Sequence, residues 1–131
     1  MFNKVGTVSV YVSDQDRAKD FYINTLGFEL VTDQPLFPGA TTRWVSVVPK
    51  KGVETELILY VPDENWEHYK QVVGKSQSIT LDVTDIMALI AELKKKGVRV
   101  TSEPDPQPWG TNAMILDSEG NTILLVETPK K

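Results

Sequence analysis

Few side chains in this sequence are of the types that perform acid–base or metal chemistry. There is one histidine, His68, and there are no cysteines, which excludes thiolate nucleophiles and thiolate metal sites. A lone loop histidine is more often a solvated side chain than a ligand. Asp82 is a candidate general base if it faces a dry cleft, because a carboxylate taken out of water is a stronger base. An exposed or hydrogen-bonded strand aspartate is the commoner case, and Glu127 has a weaker claim of the same kind.

The aromatic residues indicate binding more strongly than catalysis. Flat aromatic walls with a few polar groups are typical of small-molecule pockets. The aromatic residues in or beside predicted strands and loops are Tyr11, Trp44, Tyr60, Trp66, Tyr69 and Trp109. The candidate ligand-binding residues are Tyr11, Arg43, Trp44, Asp82 and Trp109. The alternative that a tryptophan fills the core or a dimer interface stays open for Trp44 and Trp109, and exposure or an interface is favoured for Trp66.

Length and charge restrict the class of protein. A chain of 131 residues fits one domain, 1–131, and its net charge of −4 argues against nucleic acid as the main partner. The first residues contain no apolar leader, and no run reaches the roughly 20 apolar residues that cross a membrane. We therefore expect a soluble, cytoplasmic protein without a membrane partner.

An internal repeat defines the predicted elements. Residues 10–31 and 81–101 share one order: strand, aspartate-containing turn, helix, glycine, strand. The predicted N-caps and helix-ending glycines are Ser13, Thr84, Gly27 and Gly97. Three strands follow each helix, near 28–32, 42–48 and 56–61, and near 98–101, 111–117 and 121–127. The chain is therefore predicted to be α+β, with two βαβββ modules.

The module boundaries follow from this repeat. Module one is placed at about 5–62, a linker with one helical turn at 62–76, and module two at 77–129. The proline-rich segment 103–112 is predicted to be a stiff loop that acts as a lid or rim.

Alternation along the first strand of each module assigns side chains to faces. Those facing the helix are predicted to be Val8, Val10 and Val12, and Ile79, Leu81 and Val83. Those facing away are predicted to be Thr7, Ser9 and Tyr11, and Ser78, Thr80 and Asp82. Polar residues suit either an open surface or the lining of a cleft, and the alternation leaves both open.

The paired modules, the "FY…LGF" pattern after the first turn and "DSEGNTILLVE" at 117–127 resemble the vicinal oxygen chelate superfamily. That superfamily contains glyoxalases, extradiol dioxygenases, and fosfomycin- and bleomycin-resistance proteins. The resemblance implies two curled mixed sheets around a cleft, and a homodimer whose clefts form within or across chains. It is specific for the fold and weak for function, because one fold hosts several chemistries and some pure binders.

In metal-dependent members, His or Glu side chains on the first and last strand of each module hold a divalent ion. The resemblance puts the first-strand positions at Thr7 and Ser78, and one last-strand position at Leu124. Aligning Pro62 with Pro129 makes Leu57 the counterpart of Leu124. Leucine offers no lone pair and neutral hydroxyls are poor ligands, so we expect neither a metal nor another cofactor, and two buried leucines.

The function predicted from the residues and the resemblance is metal-independent binding of a small, partly aromatic or cationic molecule, as in drug-sequestering members. The alternative is an enzyme, a metal-dependent lyase or dioxygenase of the glyoxalase type. A third reading is a subunit whose role is association alone.

Overall fold

The fold contains two compact units, Met1–Gly74 and Lys75–Lys131, and each is described by itself. The computed structural model describes residues 1–61, 71–75 and 79–128. The residues of the sequence analysis that lie outside this part are Pro62, Trp66, His68, Tyr69, Ser78 and Pro129. The predicted helical turn of the linker lies largely outside it as well.

The first unit is a βαβββ module with a four-stranded sheet. Its elements are β1 (Thr7–Tyr11), α1 (Gln15–Asp20), β2 (Glu29–Pro35), β3 (Arg43–Val48) and β4 (Glu56–Tyr60). One π-helical turn, Phe21–Thr25, continues α1. The strand order is β1-β4-β3-β2, with β1 parallel to β4 and the other pairs antiparallel.

The second unit repeats this arrangement. Its elements are β5 (Ile79–Asp82), α2 (Ile86–Lys95), β6 (Val100–Gln107), β7 (Gly110–Leu116) and β8 (Thr122–Glu127). The strand order β5-β8-β7-β6 has the same parallel first pair. The predicted α+β class with two βαβββ modules is confirmed, and both sheets are mixed and unclosed.

Aspartate caps the start of both helices. The Asp14 carboxylate accepts a hydrogen bond from the Arg17 N–H at 3.0 Å, and the Asp85 carboxylate accepts one from the Ala88 N–H at 3.2 Å. The N-caps predicted one residue earlier are therefore wrong in both helices. Asp85 reaches this position with a φ of 50°, a left-handed conformation that aspartate adopts more readily than most residues.

The predicted helix-ending glycines are confirmed. Gly27 and Gly97 both have a φ of 83°, a conformation that ends a helix and that L side chains rarely adopt. No helix in the part of the chain that the structure describes has the length and apolar character needed to cross a membrane.

A buried glutamine joins α1 to its sheet. Gln15 donates from Nε2 to the backbone carbonyl oxygens of Arg43, at 2.7 Å, and Leu59, at 2.9 Å. Its Oε1 accepts from the Arg43 N–H at 3.1 Å. One side chain at the first residue of α1 thereby contacts β3 and β4 together, so the helix and these two strands share a fixed spacing.

The "FY…LGF" pattern supplies core side chains. Tyr22 is fully buried and makes edge-to-face contacts with Phe21 and Phe28, at ring-centroid distances of 5.6 and 5.5 Å. Residues buried to 3% exposure or less in this unit include Val10, Val12, Ala18, Val45, Val47 and Leu59. In the second unit they include Ile86, Ile90, Leu93, Ala113, Ile115, Ile123 and Leu125.

The "DSEGN" segment forms a turn held by a buried carboxylate. Asp117 Oδ1 accepts from the backbone N–H groups of Glu119 and Asn121, each at 2.9 Å. Asp117 Oδ2 accepts from Asn121 Nδ2 at 3.0 Å, and both residues are buried. This motif therefore orients the β7–β8 hairpin and serves the fold.

The proline-rich segment 103–112 is mostly strand, so the prediction of a loop is wrong. Strand β6 runs to Gln107 and includes Pro104 and Pro106, and β7 begins at Gly110. Proline is tolerated because β6 is an edge strand, and its pairing is irregular between Ser102 and Asp105.

We predict that Gly110→Ala destabilises the protein. Gly110 has a φ of 143°, and a Cβ there would stand 2.6 Å from the backbone oxygen of Glu127. We expect a loss of about 3 kcal/mol in the free energy of unfolding, measured by urea denaturation. Gly6→Ala is the matched control: no atom lies within 4 Å of its Cβ position, so it should be nearly neutral. Equal midpoints for the two variants would contradict the close approach.

Candidate functional site

The ion pairs of Arg43 identify the face of the first sheet that points away from α1. Arg43, on β3, contacts Asp16 of α1 at 2.7 Å. Because adjacent strand residues point to opposite faces, Trp44 and Ser46 point away from the helix. We call the face of each sheet opposite its helix the helix-distal face.

Three aromatic side chains form a row across the helix-distal face of the first unit. Tyr11 pairs with Tyr60, and their rings meet edge to face at a centroid distance of 6.3 Å. Ser46 pairs with Ile58 in antiparallel register, which places Trp44 beside Tyr60. We call Tyr11, Tyr60 and Trp44 the aromatic row.

The middle of this face is buried although its edges are exposed. Ser46, Ile58 and Val48 are 0%, 2% and 3% exposed, whereas Trp44 is 37% exposed. A fully open polar surface is therefore excluded for the first unit. The exposure of Trp44 also excludes the reading in which it fills the core of its own unit.

In the second unit, Glu127 marks the face that α2 covers. Its carboxylate accepts a hydrogen bond from the Ile86 N–H at 2.8 Å, at the start of α2. Glu127 is thus a second cap for this helix, which removes it from the candidates for acid–base chemistry. Val126 and Leu124, one and three residues before Glu127, lie on the helix-distal face because alternate strand residues point to opposite faces.

The helix-distal face of the second unit is apolar in the centre and polar at the sides. Cross-strand partners form one row: Asp82, Val126, Asn112 and Asp105. The next row contains Thr80, Leu124, Met114 and Ser102. The Asp82 side chain is exposed and makes no ion pair or hydrogen bond within the described ranges. The predicted orientation of Tyr11 and Asp82, each away from its helix, is confirmed.

Trp109 lies in the turn between β6 and β7 of the second unit. It is 53% exposed, which excludes a role in filling that unit's core. The structure places it at the end of a hairpin rather than on a long loop.

Arg43 lies on the opposite face from Trp44, so the expectation that both form one rim needs correction. Its Nε donates to Asp33 Oδ1 at 2.8 Å, and Lys19 Nζ donates to Asp33 Oδ2 at 2.7 Å. With Asp16, these residues form a network between α1, β2 and β3. The sequence contains these charges but does not show which of them meet.

Strand register also corrects one of the positions implied for a metal. Ile58 pairs with Ser9 and Leu124 pairs with Thr80, so Ile58 is the counterpart of Leu124 on the helix-distal face. Leu57 lies on the helix-facing side. It is buried at 7% exposure, as expected, whereas Leu124 is only half-buried.

The side chains at these positions do not suit a divalent metal. Ile58 and Leu124 have no lone pair, Thr7 offers a neutral hydroxyl, and Ser78 lies outside the described residues. Glu56 pairs with Thr7 and adds one carboxylate. Across residues 1–61, 71–75 and 79–128, no three Asp, Glu, His or Cys side chains group closely enough to hold a metal ion.

Residues 4–125 match the family model for the Glyoxalase/Bleomycin resistance protein/Dioxygenase superfamily. The chain belongs to this superfamily, and the resemblance seen in its motifs is confirmed.

Similar proteins span nearly the whole chain. The uncharacterized protein YetH of Bacillus subtilis is 37% identical over 127 residues, 97% of this chain and 100% of the relative. A protein named "Probable lactoylglutathione lyase" from Synechocystis is 30% identical and covers 93% of both chains. The structure of TnmS3, an antibiotic binding protein from Streptomyces sp. CB03234, is 38% identical, with a TM-score of 0.83 and 98% of both chains covered.

Ser46 is the residue of this face that sequence reasoning missed. It stands inside the apolar run "WVSVV" on β3, where a serine interrupts a buried strand. That interruption was the available signal, because a polar residue among buried ones needs a hydrogen-bond partner.

We predict that the Asp33 network makes stability depend on acid pH. The hydrogen bond from Lys19 holds the pKa of the Asp33 carboxyl below its usual 3.8; partial burial opposes this and Arg43 reinforces it. The pKa of Asp33 is lower in the folded state than in the unfolded state. The stabilisation is therefore complete above pH 3.8, and it is lost as pH falls through the pKa that Asp33 has in the folded protein.

Asp33→Asn should therefore lower the free energy of unfolding by about 1 kcal/mol at pH 7. The difference from the parent, followed by urea denaturation, should shrink as pH falls below 3.8. The exposed loop variant Glu54→Gln is the control and should change little. A deficit for Asp33→Asn that is the same at pH 7 and pH 2.5 would contradict the assignment.

Proposed function

We propose that this protein binds a small, partly aromatic organic molecule without using a metal, as a drug-sequestering protein does. The aromatic row is the observation that carries the proposal. Flat rings on a sheet face, with polar groups in the neighbouring row, provide the wall that an aromatic ligand contacts.

The similarity to TnmS3 supports this proposal. That protein is an antibiotic binding protein, and it matches this chain over 98% of its length. We propose a binding role of the same kind for this chain. The lack of metal-ligating side chains at Ile58 and Leu124 favours binding over metal-dependent chemistry.

The second unit supplies a different set of groups. Asp82 is an exposed carboxylate beside an apolar strip, a combination that attracts a cationic ligand. Trp109, at 53% exposure, has ring surface available for contact. We propose that both contribute to binding, and we assign Arg43 to its ion pairs instead.

We also propose that the protein acts as a homodimer in the cytoplasm. Members of a superfamily with two curled sheets per chain build their clefts within or across chains, so dimerisation would complete or duplicate a ligand site. Sedimentation velocity measures the oligomeric state directly.

An enzymatic role is the alternative, as a lyase or dioxygenase of the glyoxalase type. The 30% identical "Probable lactoylglutathione lyase" from Synechocystis favours it. The aliphatic residues at two implied ligand positions weigh against it, because such an enzyme needs a metal to polarise its substrate.

We predict that Trp44→Ala weakens binding of aromatic probes. The probes are 1-naphthol and the cation 1-naphthylmethylamine, titrated by calorimetry and tryptophan emission. Loss of one ring face should reduce affinity about tenfold, since aromatic pairs contribute up to about 1.5 kcal/mol and about 1.4 kcal/mol is tenfold.

Met87→Ala is the control for this experiment. Met87 is an exposed apolar residue on α2, at 66% exposure, and its loss should leave both affinities unchanged. If neither probe binds, the proposal is overturned, and the reading in which the protein only associates with other chains is favoured.

We predict that the purified protein carries no stoichiometric divalent metal. Elemental analysis after mild chelation should find well under one Ni, Zn, Mn or Fe per chain. About one retained ion per chain would overturn metal independence and favour the enzyme.

A further inference from the structure

A buried hydroxyl on the helix-distal face of the first unit lacks a hydrogen-bond partner. Ser46 is fully buried, and its Oγ finds no partner among the residues that the structure describes. A buried hydroxyl without a partner lowers stability, because it has lost its hydrogen bonds to water and gained none. A ligand that supplied a hydrogen-bond partner would remove this cost.

The surroundings of Ser46 are those of a binding wall. It pairs with Ile58 on β4 and with Thr32 on β2, and Ile58 pairs in turn with Ser9 on β1. The row therefore runs Ser9, Ile58, Ser46 and Thr32, and it carries two hydroxyls besides that of Ser46. Trp44, two residues before Ser46 on the same face, brings the aromatic row next to it.

Access to Ser46 requires a neighbour to move. We infer that the side chain that moves is Trp44, which is a neighbour of Ser46 on this face along β3 and is 37% exposed. Exposed side chains change rotamer in picoseconds to nanoseconds, so this rearrangement is fast compared with binding.

We propose that Ser46 hydrogen-bonds an oxygen substituent of the ligand, and that the ligand is therefore a planar aromatic molecule with a phenolic hydroxyl or a ring carbonyl. The ring lies against the aromatic row, and the oxygen reaches the Ser46 Oγ, which donates to a carbonyl or exchanges a hydrogen bond with a phenol. The inference rests on the proposed function and names the ligand class for the same face.

A pair of probes that differ in one group tests this. 1-Naphthol carries a hydroxyl where 1-methylnaphthalene carries a methyl group of nearly the same size. The parent protein should bind 1-naphthol more tightly, and Ser46→Ala should lower that affinity about tenfold while leaving 1-methylnaphthalene unchanged. Calorimetry with both probes gives the two dissociation constants.

Ser118→Ala is the matched control. Ser118 Oγ is the other buried side-chain oxygen in the described ranges without a partner, and it lies in the turn between β7 and β8. Both variants remove an unpaired hydroxyl and should melt no lower than the parent. Only Ser46→Ala should change the preference for 1-naphthol.

The outcomes separate this inference from the proposed function. Equal binding of both probes by the parent, or an equal loss of both in Ser46→Ala, would overturn the role of Ser46 and keep aromatic binding. Dissociation constants for both probes that stay unchanged in Ser46→Ala would lead to the same conclusion. If neither probe binds, both proposals are overturned. A selective loss of 1-naphthol binding supports them together.

Discussion

The packing of one helix against one face of each four-stranded sheet is the constraint on which the rest of the structure depends. In the first unit Gln15 makes it specific, because one buried amide joins α1 to the backbones of β3 and β4. In the second, Glu127 of β8 caps α2. Once the helix occupies one face, alternation assigns the remaining side chains to the other face of each sheet, where we propose that a ligand binds.

The motifs that identify the superfamily serve this packing. In the "FY…LGF" motif, Tyr22 and Phe28 are core aromatic residues. In the "DSEGNTILLVE" motif, Asp117 holds a turn through three hydrogen bonds. The contacts of these residues hold the core and the turn together. This explains why the motifs identify the superfamily reliably and say little about chemistry.

The two units share a backbone plan but differ in the side chains on their helix-distal faces. The first presents Tyr11, Tyr60 and Trp44, with hydroxyls in the next row. The second presents an apolar strip that includes Met114, with carboxylates at the sides. Aliphatic residues stand at the equivalent positions Ile58 and Leu124. A duplicated frame can thus carry two different contact surfaces, because in both units the opposite face of the sheet holds the helix.

Part of the fold and of the candidate site was predictable from the sequence because it depends on local geometry. Alternation correctly placed Tyr11 and Asp82 away from the helices, and the left-handed glycines correctly marked the helix ends. The module repeat correctly predicted the succession of strands and helices along the chain. Each of these depends on the conformations that neighbouring residues can adopt, which the chain carries in its own order.

Only the tertiary structure decided which distant groups meet. Register, and not an aligned proline, made Ile58 the counterpart of Leu124. The position of β6 at a sheet edge allowed a proline-rich segment to be a strand. Arg43 found its acidic partners on α1 and β2, and Ser46 was left buried without a hydrogen-bond partner among the described residues. These outcomes depend on contacts between segments far apart in the chain, and the local pattern of residues does not determine such contacts.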